Sequence, residues 1–196
     1  MTKNNIQFLR VTHLGGPNSW TYRPVIEAWV DIGTLEDSPS NTIPGFYERL
    51  SHLLPGLMEH RCGIGERGGF LQRLREGTWA GHVLEHVVIE LLNLADMPTG
   101  FGQTRSTSQR GVYRMVFRAR DEQVARTALA EGHRMLMAVI HDQPCGPADV
   151  QAAAENLRTK VDDCSRSPST ATNGADAPSH PRHYLRLKAG SQAPLS

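Results

Sequence analysis

The chain reads as an α+β domain in which a small mixed or antiparallel sheet packs against several helices, one of them central and buried. Three observations carry this reading. Two β-rich segments stand near the start, and a run that is apolar nearly all round occupies the middle. A further strand and two amphipathic helices follow it. No internal repeat interrupts that order.

Residues 5–13 contain Ile6, Phe8 and Val11, and residues 24–32 intersperse Val25, Ile26, Ala28, Val30 and Ile32 with Glu27, Trp29 and Asp31. Both have the β-branched and aromatic content of strands, and Gly15-Gly16-Pro17-Asn18 between them is turn chemistry. Pro44 suits the first turn of a helix through Phe46, Leu50, Leu53 and Leu54, which Pro55-Gly56 ends. Phe70, Leu71 and Leu74 make a short helix that stops near Gly77. Thr78 then suits the N-cap of the central helix, which runs to about Asp96, before Pro98. Leu84, Val87, Val88, Leu91, Leu92 and Leu94 surround that helix, so it belongs inside the molecule.

Residues 111–119 alternate, with Tyr113, Met115, Phe117 and Ala119 on one face and Arg114, Val116 and Arg118 on the other. An amphipathic helix runs from Asp121 to about His141, and another begins near Pro147 and fades by Lys160. The composition then shifts to Ser, Pro, Thr and Ala. The folded unit is therefore 1–162, with 163–196 a disordered Ser/Pro/Ala-rich tail.

The bulk properties exclude more than they identify. With 21 Lys+Arg against 20 Asp+Glu, the net charge of +1 gives no ground for a nucleic-acid or membrane partner. Cys62, Cys145 and Cys164 are far apart, which fits free thiols in a reducing cytosol better than disulfides. Met1–Arg10 is no signal peptide, and no apolar stretch approaches the ~20 residues of a spanning helix. A soluble, cytoplasmic protein is expected. No Gly-x-x-x-x-Gly-Lys-Ser/Thr run exists, so a P-loop is excluded.

The chemistry concentrates on the central helix, where His82-Val83-Leu84-Glu85-His86 reads His-x-x-Glu-His. Positions four apart share a helix face, so His82 and His86 present two imidazoles to one zinc ion. Glu85 stands beside them as a general base, and Glu90, one turn on, is the candidate third ligand. A buried helix with four such polar groups needs a partner for each. Two polar, glycine-bearing segments flank it, Gly65–Phe70 and Gly100–Ser106, both read as loops. Their Arg67 and Arg105 are candidate clamps for a substrate carboxylate. Cys62 beside His60 is a weaker candidate, as a nucleophile, and Trp20, Trp29 and Trp79 read as packing residues.

Several blocks together resemble the N-terminal domain of cyanophycin synthetase. They are Gly16-Pro17-Asn18-Ser19-Trp20, then Pro39-Ser40-Asn41 through Ile43-Pro44-Gly45-Phe46-Tyr47-Glu48, and Arg67-Gly68-Gly69-Phe70-Leu71. Gly77-Thr78 leading into Gly81-His82-x-x-Glu85-His86, and Met97-Pro98-x-Gly100-Phe101-Gly102-x-Thr104-Arg105, complete the set. The likeness spans about residues 6–160. It implies a domain that holds cyanophycin, a poly-aspartate chain bearing arginine on each β-carboxylate. It also implies, as in some family members, a zinc-dependent site that cuts the polymer into primers. On that resemblance His82 and His86 are ligands, Glu85 the base and Glu90 the third ligand.

Two departures accompany the likeness. The ATP-grasp and Mur-ligase-like modules are absent, so a stand-alone domain is expected, acting alone or with a separate cyanophycin synthetase. Gly15 and Gln103 also stand where the family is expected to carry cations, which lowers the expected affinity for polymer carboxylates. The competing readings are a binding module without catalysis and an accessory protein that assembles with a ligase.

Overall fold

The computed structural model describes residues 5–119 and 121–166. Four strands form one sheet in the order β1-β2-β4-β3, antiparallel throughout: β1 (Gln7–Leu14), β2 (Val25–Asp31), β3 (Gly102–Ser106) and β4 (Val112–Arg118). β1 and β2 are the expected hairpin. Asn18 shapes its turn, where its side-chain Oδ1 accepts from the backbone N–H groups of Trp20 and Thr21. The β1 register slips between Phe8 and Arg10, leaving Leu9 as an exposed extra residue.

The described residues form five α-helices, of which α3 and α4 make the main contacts with the sheet: α1 (Phe46–Leu53), α2 (Gly69–Glu76), α3 (Ala80–Leu94), α4 (Glu122–Ile140) and α5 (Pro147–Arg166). Asp121 caps α4 by accepting from the Val124 N–H at 2.8 Å. As its sequence requires, α3 is the central helix: it touches β3 and β4 as well as α4 and α5. Gly132 lets α4 come close, since a Cβ there would lie 2.9 Å from Val88 Cγ2. Leu84, Val87, Val88 and Leu91 join Ile26, Met115, Phe117 and Leu136 in a single core.

Three local expectations are corrected. Gly102–Ser106 is not a loop but the edge strand β3, paired with β4 from Gly102↔Phe117 to Ser106↔Tyr113. Its residues alternate Gly and Thr against Gln and Arg, so the period of two carries no apolar signal. The α3 N-cap position is Trp79, with no side-chain cap, because the Thr78 hydroxyl is engaged by His82 instead. Helix α5 runs to Arg166, past the Lys160 where the apolar pattern fades, because no helix breaker intervenes before Pro168. The rest of the tail expected over 163–196 lies outside the described residues. Among the described residues no helix is long and apolar enough to cross a membrane.

Candidate metal centre

An open cleft of about 1020 Å³ lies where the N-terminal half of α3 meets β3 and the turn at Cys62. His82, Glu85 and His86 line it from α3, His60 and Cys62 from the preceding segment, and Thr104 from β3. The helical spacing therefore does what the motif requires, bringing both imidazoles and the carboxylate to one wall.

Cys62 arrives by local backbone constraint. It begins a short 3₁₀ turn, Cys62–Ile64, at φ +53, a conformation uncommon for a residue with a side chain. The segment is clamped on α2, where a Cβ at Gly69 would sit 2.1 Å from the Arg61 carbonyl oxygen. The Cys62 Sγ thereby comes to 3.3 Å from His82 Nε2. Ligand atoms of Cys62, His82 and His86 all lie within 4.8 Å of one another. A thiol and two imidazoles at that separation suit a zinc ion. The donor set present therefore fits the metal that the sequence motif implies.

Each polar group of α3 also has a protein partner. His82 Nδ1 meets the Thr78 hydroxyl at 2.8 Å, and Thr104 donates to Glu85 Oε2 at 2.5 Å. His86 Nδ1 lies 2.8 Å from His60 Nδ1, and Glu90 Oε2 lies 3.0 Å from His60 Nε2. The His86 ring stacks on Phe70 with centroids 3.9 Å apart. Glu90 is thus joined to His86 through His60 and stands outside the Cys62–His82–His86 group.

Burial sets the protonation states. It pushes the Glu85 carboxyl up to about 7, against the Thr104 hydrogen bond that favours its ionised form. Burial, with the nearby Arg73 charge, takes His82 down to about 4. His86 falls well below its ordinary value through burial, then through His82 and His60. Neutral imidazoles are the form that binds metal. Burial raises the Cys62 thiol, and Glu85 adds to that, against the Gly63 hydrogen bond and Arg73. A dication is what would take that proton off.

The two arginines read as clamps lie elsewhere. Strand alternation turns Thr104 toward α3 and Arg105 to the outer face of the sheet, opposite Arg114. There both guanidinium carbons sit over the Trp20 ring, at 4.8 and 4.9 Å from its centroid. Beneath them Glu27 is buried and accepts from Trp20 Nε1 (3.0 Å), Trp29 Nε1 (2.9 Å), Arg114 Nη2 (2.5 Å) and Arg10 Nη2 (3.2 Å). Trp20 and Trp29, expected as packing residues, lie outside the core cluster and stack against Arg10, Arg105 and Arg114. Trp79, 39% exposed, lines the cleft rather than the core. Arg67 is not among the residues lining the cleft, and pairs at its rim with Glu59, which is. From sequence, Cys62 is a candidate only as a nucleophile beside His60, and Thr104 has no role at the site. The signals were His60-x-Cys62, two residues apart, and the Gly102-x-Thr104 alternation.

Residues 27–141 match the family model described as the cyanophycin synthase-like N-terminal domain. The chain belongs to that family. It is 38% identical over 192 residues to the cyanophycin synthetase of Crocosphaera subtropica and equally so to that of a Synechocystis species, covering 97% of this chain and 22% of each relative. The cyanophycin synthetase of Trichormus variabilis is 37% identical over 186 residues, covering 94% of this chain and 21% of that protein. The chain thus spans about a fifth of the length of the curated relatives it matches.

Proposed function

We propose that this domain engages cyanophycin, the Asp-Arg polymer, and hydrolyses its amide bonds at a zinc site held by Cys62, His82 and His86. The observation that supports this most directly is the convergence of those three donors, within 4.8 Å, beside a buried carboxylate in an open cleft. A zinc ion bound there would supply Lewis-acid polarisation of the carbonyl and acidification of the attacking water. Glu85 takes the proton of that water and delivers it to the leaving nitrogen. Thr104 fixes the carboxylate through Oε2, and Gly102 leaves room for Oε1, which would lie 2.5 Å from a Cβ at that position.

The purified chain, its zinc content and the size of cyanophycin after incubation test this reading. Wild type should hold about one zinc and shorten the polymer, and Glu85→Gln should hold zinc without cutting. A protein that binds no zinc and leaves the polymer intact refutes it.

One observation favours a second reading, a polymer-binding or accessory module that works with a cyanophycin synthetase. The α3 polar groups already satisfy one another through protein partners, while Arg105 and Arg114 stack on the outer sheet face. Arg105→Ala should then release polymer while leaving zinc binding untouched.

A further inference from the structure

Glu90 and His60 form a buried titratable pair on the α3 side of the sheet that the proposed reaction does not use. Their side chains are 7% and 8% exposed, and they meet each other at 3.0 Å. Such a pair inside a small domain needs a reason, because burying polar groups is costly unless the arrangement is specific.

The surrounding backbone is shaped to hold it. The 3₁₀ turn Pro55–Glu59 closes over Glu90 so tightly that a Cβ at Gly56 would lie 1.8 Å from Glu90 Oε1. His60 follows directly, its own N–H bonded to the Leu57 carbonyl and its carbonyl accepting from the Phe70 N–H at 3.1 Å. Phe70 in turn stacks on the His86 ring. Turn, carboxylate and aromatic ring therefore all converge on the one imidazole that stands between them and the cleft.

The hydrogen-bond logic then runs in one direction. A carboxylate only accepts, so His60 Nε2 carries the hydrogen that Glu90 Oε2 receives. In the neutral His60 ring Nδ1 is then an acceptor, and the hydrogen in the 2.8 Å contact belongs to His86 Nδ1. A His86 imidazole with its hydrogen on Nδ1 has its lone pair on Nε2, the nitrogen that His60 leaves unoccupied. We propose that Glu90 and His60 are positioning residues: a carboxylate–histidine pair that locks the tautomer and ring orientation of His86 so that Nε2 is presented to a metal ion. On this assignment Glu90 stands behind the ligands rather than among them. The inference rests on the metal reading above.

The test is metal binding to the full chain, without reference to hydrolysis. Zinc dissociation constants are measured by competition with a chromophoric chelator at pH 7.5, and cobalt-substituted protein reports the coordination sphere by its visible spectrum. His60→Leu removes the acceptor for His86 Nδ1 and should weaken zinc binding on the order of 10–100-fold. His60→Asn, whose amide oxygen can occupy the Nδ1 position, should restore much of that affinity. His60→Gln, which places its amide at the Nε2 position, should not. If the leucine variant fails to fold by circular dichroism, the Asn/Gln contrast decides. Glu90→Gln should weaken zinc binding and leave the cobalt d–d bands and thiolate charge-transfer band unmoved. Zinc affinity within twofold of wild type in His60→Leu and His60→Gln overturns the proposal. So does a changed cobalt spectrum in Glu90→Gln, which would make Glu90 a direct ligand. A wild-type protein that binds no zinc overturns the metal reading itself, an outcome separable from both.

Discussion

Replacing Glu85 by Gln should change how stability depends on pH, by an amount that follows from the cleft. With the carboxyl pushed up to about 7 in the folded state and near 4.5 in the unfolded chain, the folded protein binds the extra proton. Stability from this group is fully present below pH 4.5 and is lost as pH rises through 7. Integrating that proton difference from pH 5 to pH 8 gives a loss of about 2–3 kcal/mol, at 1.36 kcal/mol per pKa unit. Glutamine keeps the shape and still accepts from Thr104, but cannot ionise. The assay is urea unfolding of metal-stripped wild type and Glu85→Gln at pH 5, 6, 7 and 8. The stability of the variant relative to wild type should climb by about 2–3 kcal/mol across that range. His82 and His86 lose stability on the acid side through depressed values, but they do so in both proteins and drop out of the difference. A difference that stays flat with pH refutes the claim that burial raises this carboxyl to about 7 in the metal-free protein.

Cys62→Ser should weaken zinc binding and abolish the thiolate charge-transfer band of the cobalt protein. It should leave thermal unfolding of the metal-free form nearly unchanged, because the half-buried thiol packs only at the edge of the core and serine changes a single atom. Gly102→Val should lower stability by about 1–3 kcal/mol in chemical denaturation, since its Cβ would fall 2.5 Å from Glu85 Oε1 and 2.6 Å from Ile89 Cδ1.

The parts of the fold that sequence reveals are those with an apolar period. Helix α3 is legible because 12 of its residues are buried, and the alternation in β4 is legible because Tyr113, Met115 and Phe117 all turn inward. Strand β3 is illegible for the opposite reason. Its inward positions are Gly102 and Thr104, small because Glu85 and Ile89 occupy the space that larger side chains would fill. The residues that make the site therefore erase the pattern that would have revealed the strand. This one omission misplaces Arg105. Read as part of a loop, it is free to reach toward the histidines, but strand parity gives the cleft Thr104 and sends Arg105 to Trp20 on the far face. The parts that Cys62 and His60 play beside α3 escape for a different reason. Helical spacing shows which residues of α3 share a face, but it carries no record of what a distant turn lays against that face. The clamping of Gly69 on the Arg61 carbonyl and the fit of Gly56 around Glu90 supply that record, and both are contacts made by glycines. In this domain the conspicuous motif marks one wall of the site, and the glycines of the segment before it, which look like loop composition, bring up the other.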